Sequence, residues 1–210
     1  EKFREIPAVV ASDGQGALQY REGKPKTDSS ASYSANMNRE DIKAGERMAL
    51  SSHSHPYTDR LDNPYPSPVT PKDVTSTTTT GADAGASTTQ SKFEGDLNVF
   101  LEDKQNIMLI TSERSTLALV RTKEFDDLVA KEGIDKVRTA LMDTYNQATT
   151  AVHKDAMKAL GEVFNYPEGS KERKAAYEKS MLITSKAGIE AVVRKFKLGL
   201  YLGSGGTLTR

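Results

Sequence analysis

DKVRTALMDTYNQATTAVHKDAMKALGEVFNYPEGSKERKAAYEKSMLITSKAGIEAVVRKFKL, Asp135 to Leu198, is the stretch on which the reading of the fold turns. Val137, Leu141, Tyr145, Ala148, Val152, Ala156, Leu160 and Val163 follow one another at steps of three or four, which places them on one stripe of an α-helix. Asp135 is a good N-cap directly after the helix-stopping Gly133. Pro167 forbids continuation and Gly169 relaxes the turn, while Ser170 caps a second helix with Glu172 in its first turn. That helix carries Tyr177, Met181, Thr184, Gly188, Val192 and Phe196 at the same spacing. The small Ala187, Gly188 and Ala191 let a neighbour approach, and Arg194, Lys195 and Lys197 complement the dipole at its end. The pattern predicts an antiparallel αα-hairpin over Asp135–Asn165 and Ser170–Lys197.

Upstream of the hairpin, Leu97, Val99 and Leu101 alternate with polar neighbours, and Ile107–Ile110 and Leu117–Val120 are short apolar runs. Turn-like residues separate them, so a small antiparallel meander is expected. Thr122 should cap a helix through Phe125, Leu128 and Val129, ended by Gly133. Ile6, Ala8, Val9 and Val10 suggest a short extended piece, Ser12–Gly16 a turn, and Ala17–Arg21 a short turn or strand. Asn38 to Leu50, with Asn38 as N-cap and Ile42, Met48 and Leu50 as apolar positions, reads as one short helix. From Ser51 the pattern changes. Prolines from Pro56 to Pro71 impose extended backbone, and Thr75 to Ser91 is almost wholly Thr, Ser, Gly and Ala. Such a tract cannot bury enough surface to offset its ordering entropy.

The expected fold is therefore mainly α with a minor β part: a long αα-hairpin, a small β-meander and long extended N-terminal arms. Residues 1–92 form an arm region, with a short helix near 38–50 and a Pro/Thr/Ser-rich linker over 51–92. Residues 93–198 form the folded α-rich module and 199–210 an extended C-terminal tail.

Composition bounds the function. The 210 residues hold 29 basic and 29 acidic side chains, and residues 1–92 alone hold 11 and 12. A nucleic-acid binder normally shows a basic stripe or domain, so that class is disfavoured. With no cysteine, disulfides, thiolate metal sites and Cys nucleophiles are out. No apolar run approaches the roughly 18–20 residues of a membrane span. The chain begins at Glu1 rather than Met, as an organellar protein does after removal of a transit peptide, and as a trimmed product does.

No motif spells out a reaction. His53 and His55 form a His-x-His pair, but no third and fourth ligand follows at a recognisable spacing, so the expectation is solvent- or partner-facing histidines and no metal. His153 reads as a helix-surface or packed imidazole. Gly203-Ser204-Gly205-Gly206 lacks the following helix that aims N–H groups at a phosphate. Adjacent Asp126 and Asp127 read as charge at a helix N-terminus rather than a catalytic dyad. No cofactor is expected.

The reading is a non-enzymatic structural or linker subunit of a large multiprotein assembly, with protein subunits as partners. Its general style is that of antenna linkers, supernumerary organellar subunits and virion cement proteins. A free-standing helical binding module with a disordered N-terminal tail is the alternative, and a small α-rich enzyme comes third. Tyr57, Leu61, Tyr65 and Val69, spaced by four along a polar Pro-rich segment, are the expected partner anchors, with Tyr201 and Leu208 from the tail.

Overall fold

The structure, a computed structural model, describes residues 8–13, 15–22, 43, 45–54, 63–71, 93–112, 115–204 and 207–209. In chain order the elements are β1 (Ala8–Ser12), β2 (Leu18–Glu22), β3 (Arg47–Ser54), β4 (Thr70–Pro71), β5 (Phe93–Glu94), α1 (Asp96–Glu102), β6 (Ile107–Thr111), β7 (Thr116–Val120), α2 (Lys123–Glu132), α3 (Ile134–Ala151), α4 (His153–Val163), α5 (Lys171–Phe196), β8 (Gly199–Ser204) and β9 (Thr207–Thr209). Seven strands form one mixed sheet in the order β2-β1-β3-β6-β7-β8-β9, and β4 and β5 pair separately. Every neighbouring pair in the large sheet is antiparallel except β3 and β6, which run parallel.

This corrects the expected fold class. The molecule is a seven-stranded mixed sheet with five helices among the described residues, not mainly α with a small meander. The N-terminal region expected as an extended arm supplies three strands. Arg47–Leu50, expected in a helix over 38–50, opens β3 instead, and residues 38–42 lie outside the described residues. Residues 199–204 and 207–209, expected as a tail, continue the sheet beyond β7. Leu97, Val99 and Leu101, read as alternating strand positions, lie on α1, where Asp96 through Leu101 are all buried. A helix covered all round loses its polar stripe, and with it the 3.6-residue signature.

The helical hairpin itself is present. α4 and α5 pack together through Ala156, Ala159 and Val163 on one side and Ala176 and Ser180 on the other, and α3 packs on the C-terminal half of α5. Asp135–Asn165 is not one continuous helix. It breaks at Val152, just after Thr149 and Thr150 both donate their hydroxyls to the Asn146 carbonyl. β-branched side chains and hydroxyls that bond the preceding turn weaken a helix locally. Gly188 lets Tyr145 of α3 lie flat on α5, since a Cβ there would sit 2.4 Å from the ring. Two of the three expected caps follow the sequence: Thr122 accepts from Phe125 N at 3.3 Å and Ser170 from Arg173 N at 3.2 Å, whereas Asp135 is not the N-cap, because the helix already starts at Ile134 with Gly133 in the cap position. α2 to α5 form one excursion between β7 and β8, which pair directly, so the helices return to the sheet where they left it.

Registers fix the two faces of the sheet, because alternate residues point to opposite sides. Met108 and Ile110 of β6 and Leu117 and Leu119 of β7 join Phe100, Phe125, Leu141, Ile189, Val192 and Phe196 in one core. A bulge at Ala49, between the pairs Val10–Leu50 and Ala11–Met48, turns Met48 to this same inner face. Among the described residues, no helix is long and apolar enough to cross a membrane.

Candidate functional site: the outer face of the sheet

The face opposite the helices carries no layer among the described residues. Its middle row runs Tyr20, Val10, Leu50, Ile107 and Val120 across five neighbouring strands. The adjacent row runs Ala8, Ser52, Leu109, Ala118 and Tyr201. Leu18 extends the face at the β2 edge, and Leu208, paired with Gly203, at the β9 edge. Leu18 and Tyr20 are 65% and 67% exposed. Val10, Leu50, Ile107, Leu109, Val120 and Tyr201 are half-buried, and none of them belongs to the core or packs against it. The only charged side chains the registers place on this face are Glu22 and Arg47, at its border. A solvated sheet face is ordinarily polar at alternate positions. This one is apolar along its two middle rows apart from Ser52, and turns polar at Ser12, Ser54, Thr111 and Thr116 toward the strand ends.

A second feature is polar and buried. His53 of β3, 2% exposed, has Nε2 3.4 Å from Asp96 Oδ1. Asp96 Oδ2 accepts from Ser67 N at 2.7 Å and Ser67 Oγ at 2.9 Å, and Asp96 N donates back to Ser67 Oγ at 2.8 Å. Ser67 thereby caps α1 from a segment 29 residues away. Gly95, at φ +102°, permits the approach: a Cβ there would lie 1.8 Å from the Pro68 carbonyl oxygen. Beside this cluster, Arg138 of α3 donates to Asn98 Oδ1 and Glu102 Oε1, each at 2.9 Å, pairs with Asp135, and stacks 4.8 Å over Phe93. Ser51 donates to Gln105, whose Nε2 is buried with no hydrogen-bond partner among the described residues.

Serine, histidine and aspartate together invite a hydrolytic reading, and the geometry argues against it. In a nucleophilic triad the imidazole stands between hydroxyl and carboxylate. Here the carboxylate stands between the other two, so the Ser67 hydroxyl donates to Asp96 and the imidazole does not sit on it. The cluster fastens residues 63–71 to the core.

The placement of His53 corrects the expectation of a solvent- or partner-facing residue; His55 lies outside the described residues. No group of three or more His, Asp or Glu suited to a metal occurs among the described residues. His153 is exposed at the start of α4. Asp126 pairs with Arg121 and Asp127 with Lys123, as charge at a helix N-terminus. Gly203 and Ser204 lie in β8 at its hairpin with β9, and no helix follows.

Tyr65 and Val69, expected as anchors into neighbouring subunits, are buried in this chain's own core. Asn63 holds their segment down: its Oδ1 accepts from Tyr65 N and its Nδ2 donates to Ser185 of α5, both at 3.0 Å. Burial pushes the Tyr65 hydroxyl pKa up, with the charge of Glu190 adding to it. Tyr57 and Leu61 lie outside the described residues. Tyr201 and Leu208 stand on the outer sheet face.

One open cleft, of about 320 Å³, is bounded by Pro64, Tyr65, Ser115, Glu178, Leu182, Leu202 and Gly203. The Glu178 Oε1 atom there is shielded and has no hydrogen-bond partner among the described residues. The cleft thus offers an acceptor, without a nucleophile and base in mutual contact. The outer face escaped the sequence reading because it depends on strand pairing between residues far apart in the chain; only the alternation within β6 and β7 hinted at it. Comparison of the chain with protein-family models, with curated proteins and with solved structures found no match.

Proposed function

We propose that this protein is a non-enzymatic structural component that acts through protein–protein contact, with the outer face of its sheet as the docking surface. The observation that carries this reading is the apolar row Tyr20–Val10–Leu50–Ile107–Val120, which no described layer covers. Contiguous apolar patches of several hundred Å² on a protein surface mark interaction sites. The face has the make-up of an interface core: aliphatic and aromatic in the middle, with charge only at the rim. The function lies on a rigid sheet rather than on the proline-rich segment, whose Tyr65 and Val69 are engaged internally.

The test is assembly in the native source. Ile107→Lys and Leu109→Lys each place a charge in the middle of the face and leave the helical core untouched. Density-gradient sedimentation of native extracts should show the wild-type chain in a particle heavier than its monomer and both variants at the monomer position. Circular dichroism must show the variants folded. Equal incorporation of folded variants and wild type would refute the docking role.

A further inference from the structure

We infer that the occupant of the outer face is a second copy of this chain, so that two sheets stack face to face across a two-fold axis. The inference rests on the docking role proposed above and names the partner.

The area is sufficient. Seven strands about 4.8 Å apart, each about five residues long, give a face of roughly 29 Å by 17 Å. That is on the order of 500 Å² of footprint per copy and 1,000 Å² for a pair, the size at which specific interfaces begin. A self-complementary contact needs a surface that can meet itself, and two copies of one sheet share the same twist, so their faces can stack at a fixed angle. Sheets stack in this manner at about 10 Å, side chains interdigitating.

Charge does not oppose the pairing. The chain carries 29 basic and 29 acidic residues, so two copies have no net repulsion. The two charges on the face, Glu22 and Arg47, are of opposite sign and lie toward opposite strand ends, since Ala8 pairs with Glu22 while Ser12 pairs with Arg47. A two-fold axis across the strands turns the Glu22 end of one copy toward the Arg47 end of the other.

The experiment is sedimentation equilibrium on the full chain over roughly 1 to 100 µM, a range that brackets ordinary dimer affinities. The expected result is a mass that rises to twice the monomer's. Ile107→Lys and Leu109→Lys should remain monomeric throughout, while Met157→Lys, an exposed apolar position on α4, should dimerise as the wild type does. If the lysine variants fail to fold, Ile107→Thr and Leu109→Ser should weaken dimerisation by about tenfold or more. A wild-type dimer that survives the outer-face substitutions would overturn the inference, because association would then use another surface. A wild-type monomer at the highest concentration would also overturn it. In that case, loss of particle incorporation by Ile107→Lys would leave the docking role standing with a different protein as occupant. A monomer whose outer face instead drives co-sedimentation with phosphatidylcholine vesicles would overturn both.

Discussion

Replacing Gly95 with alanine should uncouple residues 63–71 from α1, and Gly133 supplies the control. Both glycines precede a helix in nearly the same conformation, Gly95 at φ 102° and ψ 154°, Gly133 at φ 84° and ψ 152°. An alanine in that region is strained by about 1–3 kcal/mol wherever it stands. The surroundings differ. Nothing lies within 4 Å of a Cβ built on Gly133, whereas the Pro68 carbonyl oxygen lies 1.8 Å from one built on Gly95. That carbonyl must retreat by ~1 Å or more to restore contact distance. Ser67, its neighbour, makes three hydrogen bonds with Asp96 at 2.7–2.9 Å, and a displacement of that size breaks all three. At about 1 kcal/mol each, Gly95→Ala should lose about 3 kcal/mol more than Gly133→Ala. Urea unfolding followed by far-UV circular dichroism gives both values. Hydrogen exchange at residues 64–70 should accelerate in Gly95→Ala alone. Losses within about 0.5 kcal/mol of each other, with unchanged exchange at 64–70, would refute the latch.

Arg138→Met should destabilise by about 3–5 kcal/mol, since it removes the buried guanidinium from which Asn98 Oδ1 and Glu102 Oε1 accept. Arg138→Lys should recover less than half of that, because one ammonium nitrogen cannot take the places of the three guanidinium nitrogens that meet Asn98, Asp135 and Glu102; urea titration of the two variants decides it. Glu46 is held at a pKa of about 2, below its ordinary 4.5, first by the Arg21 guanidinium that donates to both its oxygens and then by the Lys43 N–H. A depressed folded-state value means that this stabilisation is complete above about pH 5 and is lost as pH falls toward 2. Glu46→Gln should therefore flatten the acid side of a stability-versus-pH curve over that window. An unchanged acid slope would show that the Arg21 contact has no weight in solution.

The helices were legible where one face is wet. α2, α3 and α5 kept apolar spacing, and their starts at Thr122 and Ser170 carried side chains that cap. β3 was not legible, because beyond Met48 its inward positions are Ser51 and His53, while Leu50 faces outward. The pattern looks inverted until Gln105 and Asp96, 54 and 43 residues away, supply the polar partners. The prolines between 64 and 71 suggested an arm; in the fold they hold an extended path that delivers Tyr65 and Val69 to the core. Metal and catalytic roles could be weighed from spacing alone. The outer face could not, since it is made by pairing β1, β3, β6 and β7 across more than a hundred residues of chain.

The parallel joint between β3 and β6 also divides the folding of the molecule in time. β6–β7 and β8–β9 are hairpins with short turns, and the stretch between β7 and β8, though longer, is taken up by four helices joined end to end, whereas of the roughly fifty residues between β3 and β6 the described ones form only β4, β5 and α1 as regular elements. Closing a loop of that length costs on the order of 3–4 kcal/mol before any contact returns it. The β6–β9 half is therefore the natural nucleus, and β1, β2 and β3 dock on it as a late unit. Until they arrive, β6 is an open edge carrying Ile107 and Leu109, and during that interval the chain is most exposed to mispairing with another nascent copy of itself.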